Sequence, residues 1–141
     1  MRIESNGFWF KSSLFAIEPN EDEETNPQRF GRQLAKWIGE QVRGLGFTPE
    51  IIAEDWGWCV MCARSPFWLW VVRGNMDFGF PGEQVATPKT EEIVWHCHVV
   101  GEKPFWRVFH RIDMKPQVEK LAAQLSSILS SQPEIRLVKE P

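Results

Sequence analysis

Apolar side chains at Phe30, Leu34, Trp37, Ile38, Val42 and Leu45 follow one another at steps of four, three, one, four and three. That spacing draws a single stripe along an α-helix. Asn26 is a good N-cap for it, Pro27 suits the first helical position, and Gly44 or Gly46 supplies the stop. A second stripe, Val118, Leu121, Leu125, Ile128 and Leu129, predicts a helix over 116–131 with Pro133 beyond its end. Residues 8–17, 49–54, 57–63, 67–73 and 93–100 are short, rich in β-branched and aromatic residues, and bounded by turn formers, which predicts strands. Residues 104–112 fit a helical face and an alternating strand about equally, and Pro104 at their start favours a short helix. The tail EIRLV is compatible with a closing strand. Residues 74–92 form a long connection dense in Gly and Pro, of the kind that serves as a lid or an ordered surface loop.

These elements predict an α+β two-layer sandwich in one domain over 1–141. It has a mainly antiparallel sheet of about five strands, with two main helices on one face, in the order β-α-β-β-β-β-α. The helix after the first strand allows that strand to lie parallel to a neighbour. A sheet covered on one side should alternate apolar and polar residues, yet the central strands do not. Trp58, Val60 and Cys62 oppose Cys59, Met61 and Ala63, while Phe67, Leu69 and Val71 oppose Trp68, Trp70 and Val72. Two helices cover one layer. The second apolar face then needs the 74–92 loop, the 104–112 segment, a second copy of the chain, or a partner or ligand. A three-residue link, Arg64-Ser65-Pro66, would gather Trp58, Trp68 and Trp70 on one face, where His96 and His98 could join them.

Charge and composition narrow the function classes. The net charge of −3, with no face collecting Lys and Arg, gives no source for phosphate attraction, so nucleic acid is not an expected partner. The longest apolar run, FWLWVV at 67–72, is far short of a membrane span, and MRIESNGFWFKSS lacks the h-region of a leader. Three cysteines make no disulfide framework and suit a reducing compartment, so a cytoplasmic protein is expected. Eight Trp and ten Phe without a Tyr make the aromatic residues the unusual part of the inventory, serving either a core or a binding surface.

Candidate chemistry is thin. Cys59 and Cys62 form a CxxC, but residues three apart on a strand point to opposite faces, so the pair cannot grip one ion or bridge. They read as buried core thiols. His96 and His98 share a face and are the candidate metal ligands, although a third ligand is not identifiable. The sequence lacks a nucleophile elbow, a phosphate-binding glycine loop, a dinucleotide fingerprint and HExxH, so no catalytic residue and no cofactor are expected. The run Glu21, Asp22, Glu23 and Glu24 stands ahead of the first helix. There it can complement the macrodipole or steer a basic partner.

The acidic loop into ETNPQRFGRQLAKWI, the DWGWC core within EDWGWCVMC, FWLWVVRGN and WHCHVV resemble a family of small bacterial proteins of unknown function, over most of the chain. More loosely, size, acidity and aromatic content are similar to the small α+β immunity proteins that neutralise bacterial toxins. The family resemblance implies no catalytic residues; the looser one implies a non-enzymatic protein-interaction module. Its partner-binding residues would be Trp56, Trp58, Trp68 and Trp70, with Glu21 to Glu24 for attraction. The alternatives are a small-molecule or metal-binding domain centred on His96 and His98 under the 74–92 loop, or a Trp-rich face that is only a homodimer interface or core.

Overall fold

Side-chain alternation and the two apolar stripes assemble as follows in a computed structural model, which describes residues 1–76, 89–107 and 109–141. The elements are β1 (Arg2–Glu4), β2 (Phe8–Ser12), α1 (Arg32–Gly44), β3 (Glu50–Glu54), β4 (Gly57–Ala63), β5 (Trp68–Asn75), β6 (Trp95–Glu102), α2 (Lys115–Ser131) and β7 (Ile135–Val138). Single 3-10 turns lie at Glu21–Glu23, Thr90–Glu92 and Phe105–Arg107. The described strands form one sheet in the order β3-β4-β5-β6-β2-β7, with β1 also paired to β6. The fold is therefore α+β, with more strands than expected: β1 is additional, and β7 is the EIRLV tail.

Every pairing among the described strands is antiparallel, including β2 with β6 and with β7, so the parallel arrangement that the crossover helix would allow is not used. The chain leaves β2 near one edge, and α1 carries it to β3 at the other. Between β1 and β2 the pairing with β6 slips by one residue, from Glu4 opposite Val100 to Phe8 opposite Cys97. Ser5 bridges the slip: its N–H donates to the Val99 carbonyl, and its hydroxyl accepts from the Val99 N–H, both at 2.9 Å. The slip turns Phe8 and Phe10 toward the core while leaving Arg2 and Glu4 on the opposite face.

The core lies between the sheet and the helices. Leu34, Ile38 and Val42 of α1 and Val118, Leu121, Leu125 and Leu129 of α2 pack with Val60, Leu69, Val71, Trp95, Cys97 and Val99. The predicted α2 is present with Pro116 in its first turn. The first helix starts later than expected, at Arg32 rather than after Asn26. Tertiary hydrogen bonds hold the intervening loop. Asn26 N–H donates to the Asp55 carbonyl at 3.1 Å, and Phe30 N–H to Asn75 Oδ1 at 2.8 Å. Gln28, at φ 66°, and Gly31, at φ 133°, keep this stretch out of helical geometry. The short helix expected to enter at Pro104 is a single turn of 3-10 helix, Phe105–Arg107, among the described residues.

Helix α2 packs tightly over Gly101 of β6. A Cβ there would lie 2.8 Å from Val118 Cγ2 and 3.4 Å from Met114 Cβ. Overpacking of this kind costs about 1–3 kcal/mol. Gly101→Ala is accordingly expected to lower the unfolding free energy by that amount, read as a lower urea midpoint at an unchanged slope. An unaltered midpoint would show that the helix and sheet are not held at this separation.

Candidate functional site

The side of the sheet away from the helices carries a second apolar cluster. Cys59, Trp70 and Val100 are buried there, with Ile52, Met61, Trp68 and Val72 packed around them. The β4/β5 hairpin sets this membership. Trp58 pairs with Arg73 and Val60 with Val71, so even-numbered residues of β4 share a face with odd-numbered residues of β5. A bulge between Met61 and Ala63 closes the ladder, leaving residues 64–67 between the strands. The expected three-residue link is thus corrected to four. Trp58 faces the helices and is buried in the main core, while Trp68 and Trp70 face away.

The outer cluster floors a hollow of about 320 Å³ lined by Ile52, Cys59, Met61, Trp68 and Trp70. Its rim is Arg2, Glu54, Trp56, Arg64 and Glu102. The guanidinium of Arg2 lies 5.5 Å from the Trp70 ring centroid, a cation–π arrangement. Trp106 meets Trp68 edge-on at 5.5 Å, and Phe105 meets Trp106 at 5.2 Å. Around this floor Trp56 is 44% exposed, Trp106 57% and Phe105 82%, whereas Trp70 is only 9% exposed. Arg2, Phe105 and Trp106 were not among the expected site residues. Phe105 and Trp106 lie in a segment whose pattern was ambiguous, and Arg2 in a strand too short to show a period.

The acidic run divides. Glu21 is buried, and its carboxylate accepts the N–H of Arg32 at 2.9 Å and of Glu18 at 3.1 Å. It caps α1 from eleven residues away, so it cannot steer a partner as expected of the whole run. Burial raises its pKa above the ordinary carboxylate value, and the backbone hydrogen bonds act in the opposite direction. Asp22 accepts the Gln28 N–H at 3.0 Å, and Glu24 lies 3.7 Å from the Arg32 guanidinium. Glu23 and Glu24 remain exposed. They sit beside the β3–β4 turn, because Asn26 is bonded to Asp55.

His96 and His98 do share the outer face. Their rings stack at 5.2 Å, and Trp9 stacks on His96 at 4.5 Å. His98 Nε2 is 3.5 Å from Glu4 Oε1. Among the described residues no three His, Cys, Asp or Glu side chains converge as a metal site would require. The expected lid over these histidines falls mostly on 77–88, outside the described residues. Burial, and then the neighbouring His98, lower the His96 pKa from its ordinary value.

The cysteines occupy both layers. Cys59 belongs to the outer cluster, and Cys62 and Cys97 to the main core. All three are free thiols. Burial pushes Cys59 up to about 11, and Cys62 and Cys97 up to about 12. Nearby Arg73 acts against that rise at Cys59 and Cys97. The CxxC is a strand segment with its sulfurs on opposite faces, as alternation requires.

Comparison with protein-family models, with curated proteins and with solved structures finds no match to this chain.

Two solution measurements test this geometry. Native protein should present less than one equivalent of reactive thiol to an aromatic disulfide reagent at neutral pH, and all three after denaturation. Rapid native reaction of Cys59 would contradict its burial. For His96 the folded pKa is depressed, so the folded state binds fewer protons than the unfolded one. Stability is then full above the ordinary histidine pKa of about 6.5 and declines as pH falls below it. The denaturation midpoint should drop more between pH 7 and 5 in the wild type than in His96→Gln.

Proposed function

We propose that this chain is a non-enzymatic protein-interaction module whose outer sheet face docks a partner protein with a basic surface and a protruding apolar side chain. The supporting observation is the aromatic hollow of Trp68 and Trp70. Neither helix lines it, exposed Trp56 does, and exposed Trp106 packs edge-on against Trp68. Aromatic anchors in a partly desolvated pocket are the usual source of binding energy at protein interfaces. Its capacity of about 320 Å³ suits one or two inserted side chains better than a large ligand.

Charge favours a different protein over a second copy. Arg2 and Arg64 on the rim are already paired with Glu4 at 2.9 Å and Glu50 at 2.7 Å. Among the described residues, exposed Glu23, Glu54 and Asp55 have no ion-pair partner. Two such faces brought together would set these carboxylates against each other, whereas a basic partner would be drawn in. An immunity-type inhibitor of a basic toxin is the form of this reading that fits an acidic chain in the bacterial cytoplasm. The absence of three converging ligands among the described residues weighs against the alternative of a metal centre at His96 and His98.

The test is affinity capture at low salt with the full chain as bait, followed by titration of the recovered partner. Trp68→Ala and Trp106→Ala should each weaken binding about tenfold or more, and Leu137→Ala, on β7, should leave it unchanged. Raising the salt should slow association. Equal retention by both tryptophan variants, or no partner at low salt, would defeat the proposal.

A further inference from the structure

Arg73 projects from β5 toward the helices with only 1% of its surface exposed. Among the described residues none of its three side-chain nitrogens has a hydrogen-bond partner, nor does the indole nitrogen of Trp58 or Trp95. Trp58 stands directly opposite Arg73 in the β4/β5 ladder. The three side chains meet at Gly31, the N-cap of α1. A Cβ on Gly31 would sit 3.6 Å from Arg73 Nη1 and 3.6 Å from Trp58 Cδ1, the carbon bonded to the indole nitrogen. Trp95 closes the same spot through its ring edge at 3.4 Å.

The polar atoms gathered here are donors. The carboxylate within electrostatic reach is that of Glu21, whose two oxygens already serve the N–H groups of Glu18 and Arg32. Burial lowers the Arg73 pKa to about 9, which still leaves it charged at neutral pH. A buried cation without a contact partner is among the costlier arrangements a core can hold, and an unmet indole N–H adds to it. The positive end of α1, a helix of 13 residues, adds its potential at the same point.

We propose that Arg73 and the Trp58 indole N–H, beside Gly31, form a buried binding site for a small monovalent anion of the halide class, such as chloride. A halide is a spherical acceptor that can meet guanidinium and indole donors together without needing donors or metals of its own. A Cβ on Gly31 would meet its three neighbours at 3.4–3.6 Å, so the space there suits one atom of about methyl size, which a halide matches and a tetrahedral oxyanion exceeds. Water could accept from both donors but would leave the charge unbalanced. This inference is independent of the docking face, since the site lies on the helix side of the sheet.

Thermal melts of the full chain should be recorded in sodium chloride and in sodium gluconate at matched ionic strength. The expected result is a saturable rise of Tm with chloride that gluconate does not reproduce. Trp58→Phe keeps an aromatic ring but removes one neutral donor, so it should raise the half-saturating chloride concentration about three- to tenfold. Arg73→Met should abolish the anion dependence. Should that variant not fold, the Trp58→Phe titration and bromide-soaked crystals of the wild type decide the matter, with bromide expected beside Arg73 Nη1. Superimposable wild-type melts in the two salts would overturn the proposal. So would a chloride effect that Trp58→Phe leaves unchanged, or bromide found only at the surface.

Discussion

The pairing of Trp58 with Arg73 across β4 and β5 decides what each face of the sheet is made of. Successive side chains alternate, so one pair assigns the whole hairpin. With Trp58 inside, Val60, Leu69 and Val71 face the helices, and Cys59, Met61, Trp68, Trp70 and Val72 face away. The same pair carries the Arg73 guanidinium into the core. One register therefore produces both the aromatic outer surface and the buried charge.

The loop between β2 and α1 is built around that charge. Gly31 has no side chain where Trp95, Arg73 and Trp58 converge, and its positive φ is one that residues with a Cβ adopt poorly. Glu21 supplies the carboxylate for the start of α1, and Asn75, on the same strand as Arg73, holds Phe30 and Gln28 through its amide. The acidic run is thus partly internal architecture. What remains outside, Glu23 and Glu24 with Glu54 and Asp55 nearby, lies at the end of the sheet where Trp56 projects.

The outer face is neither core nor ordinary surface. Its centre is dry, with Val100 fully buried and Trp70 nearly so, because Arg2 lies over the indole and the turn after β6 brings Trp106 against Trp68. Its margin is wet and aromatic. A desolvated centre with exposed tryptophans at its margin is the composition the proposed docking calls for, since little further ordering would be needed on binding. The histidine stack with Trp9 extends the same face along β6, and the lowered pKa of His96 makes that part sensitive to acid.

Helical stripes and strand alternation in the sequence were enough to determine the two helices, the central strands and the presence of a second greasy face. They also determined that Cys59 and Cys62 point apart. These properties depend on residue periods of 3.6 and 2, which are local. Face membership was not legible, because it turns on one residue of link length and on a bulge, and neither leaves a compositional trace. Trp58 therefore lay on the wrong side of the expectation while Trp68 and Trp70 did not. Long-range placements were equally hidden: Glu21 capping a helix that starts at Arg32, Arg2 lying over Trp70, and Arg73 going inward. Each arises when distant segments compete for the same donors and the same dry volume, and only the packed chain resolves that competition.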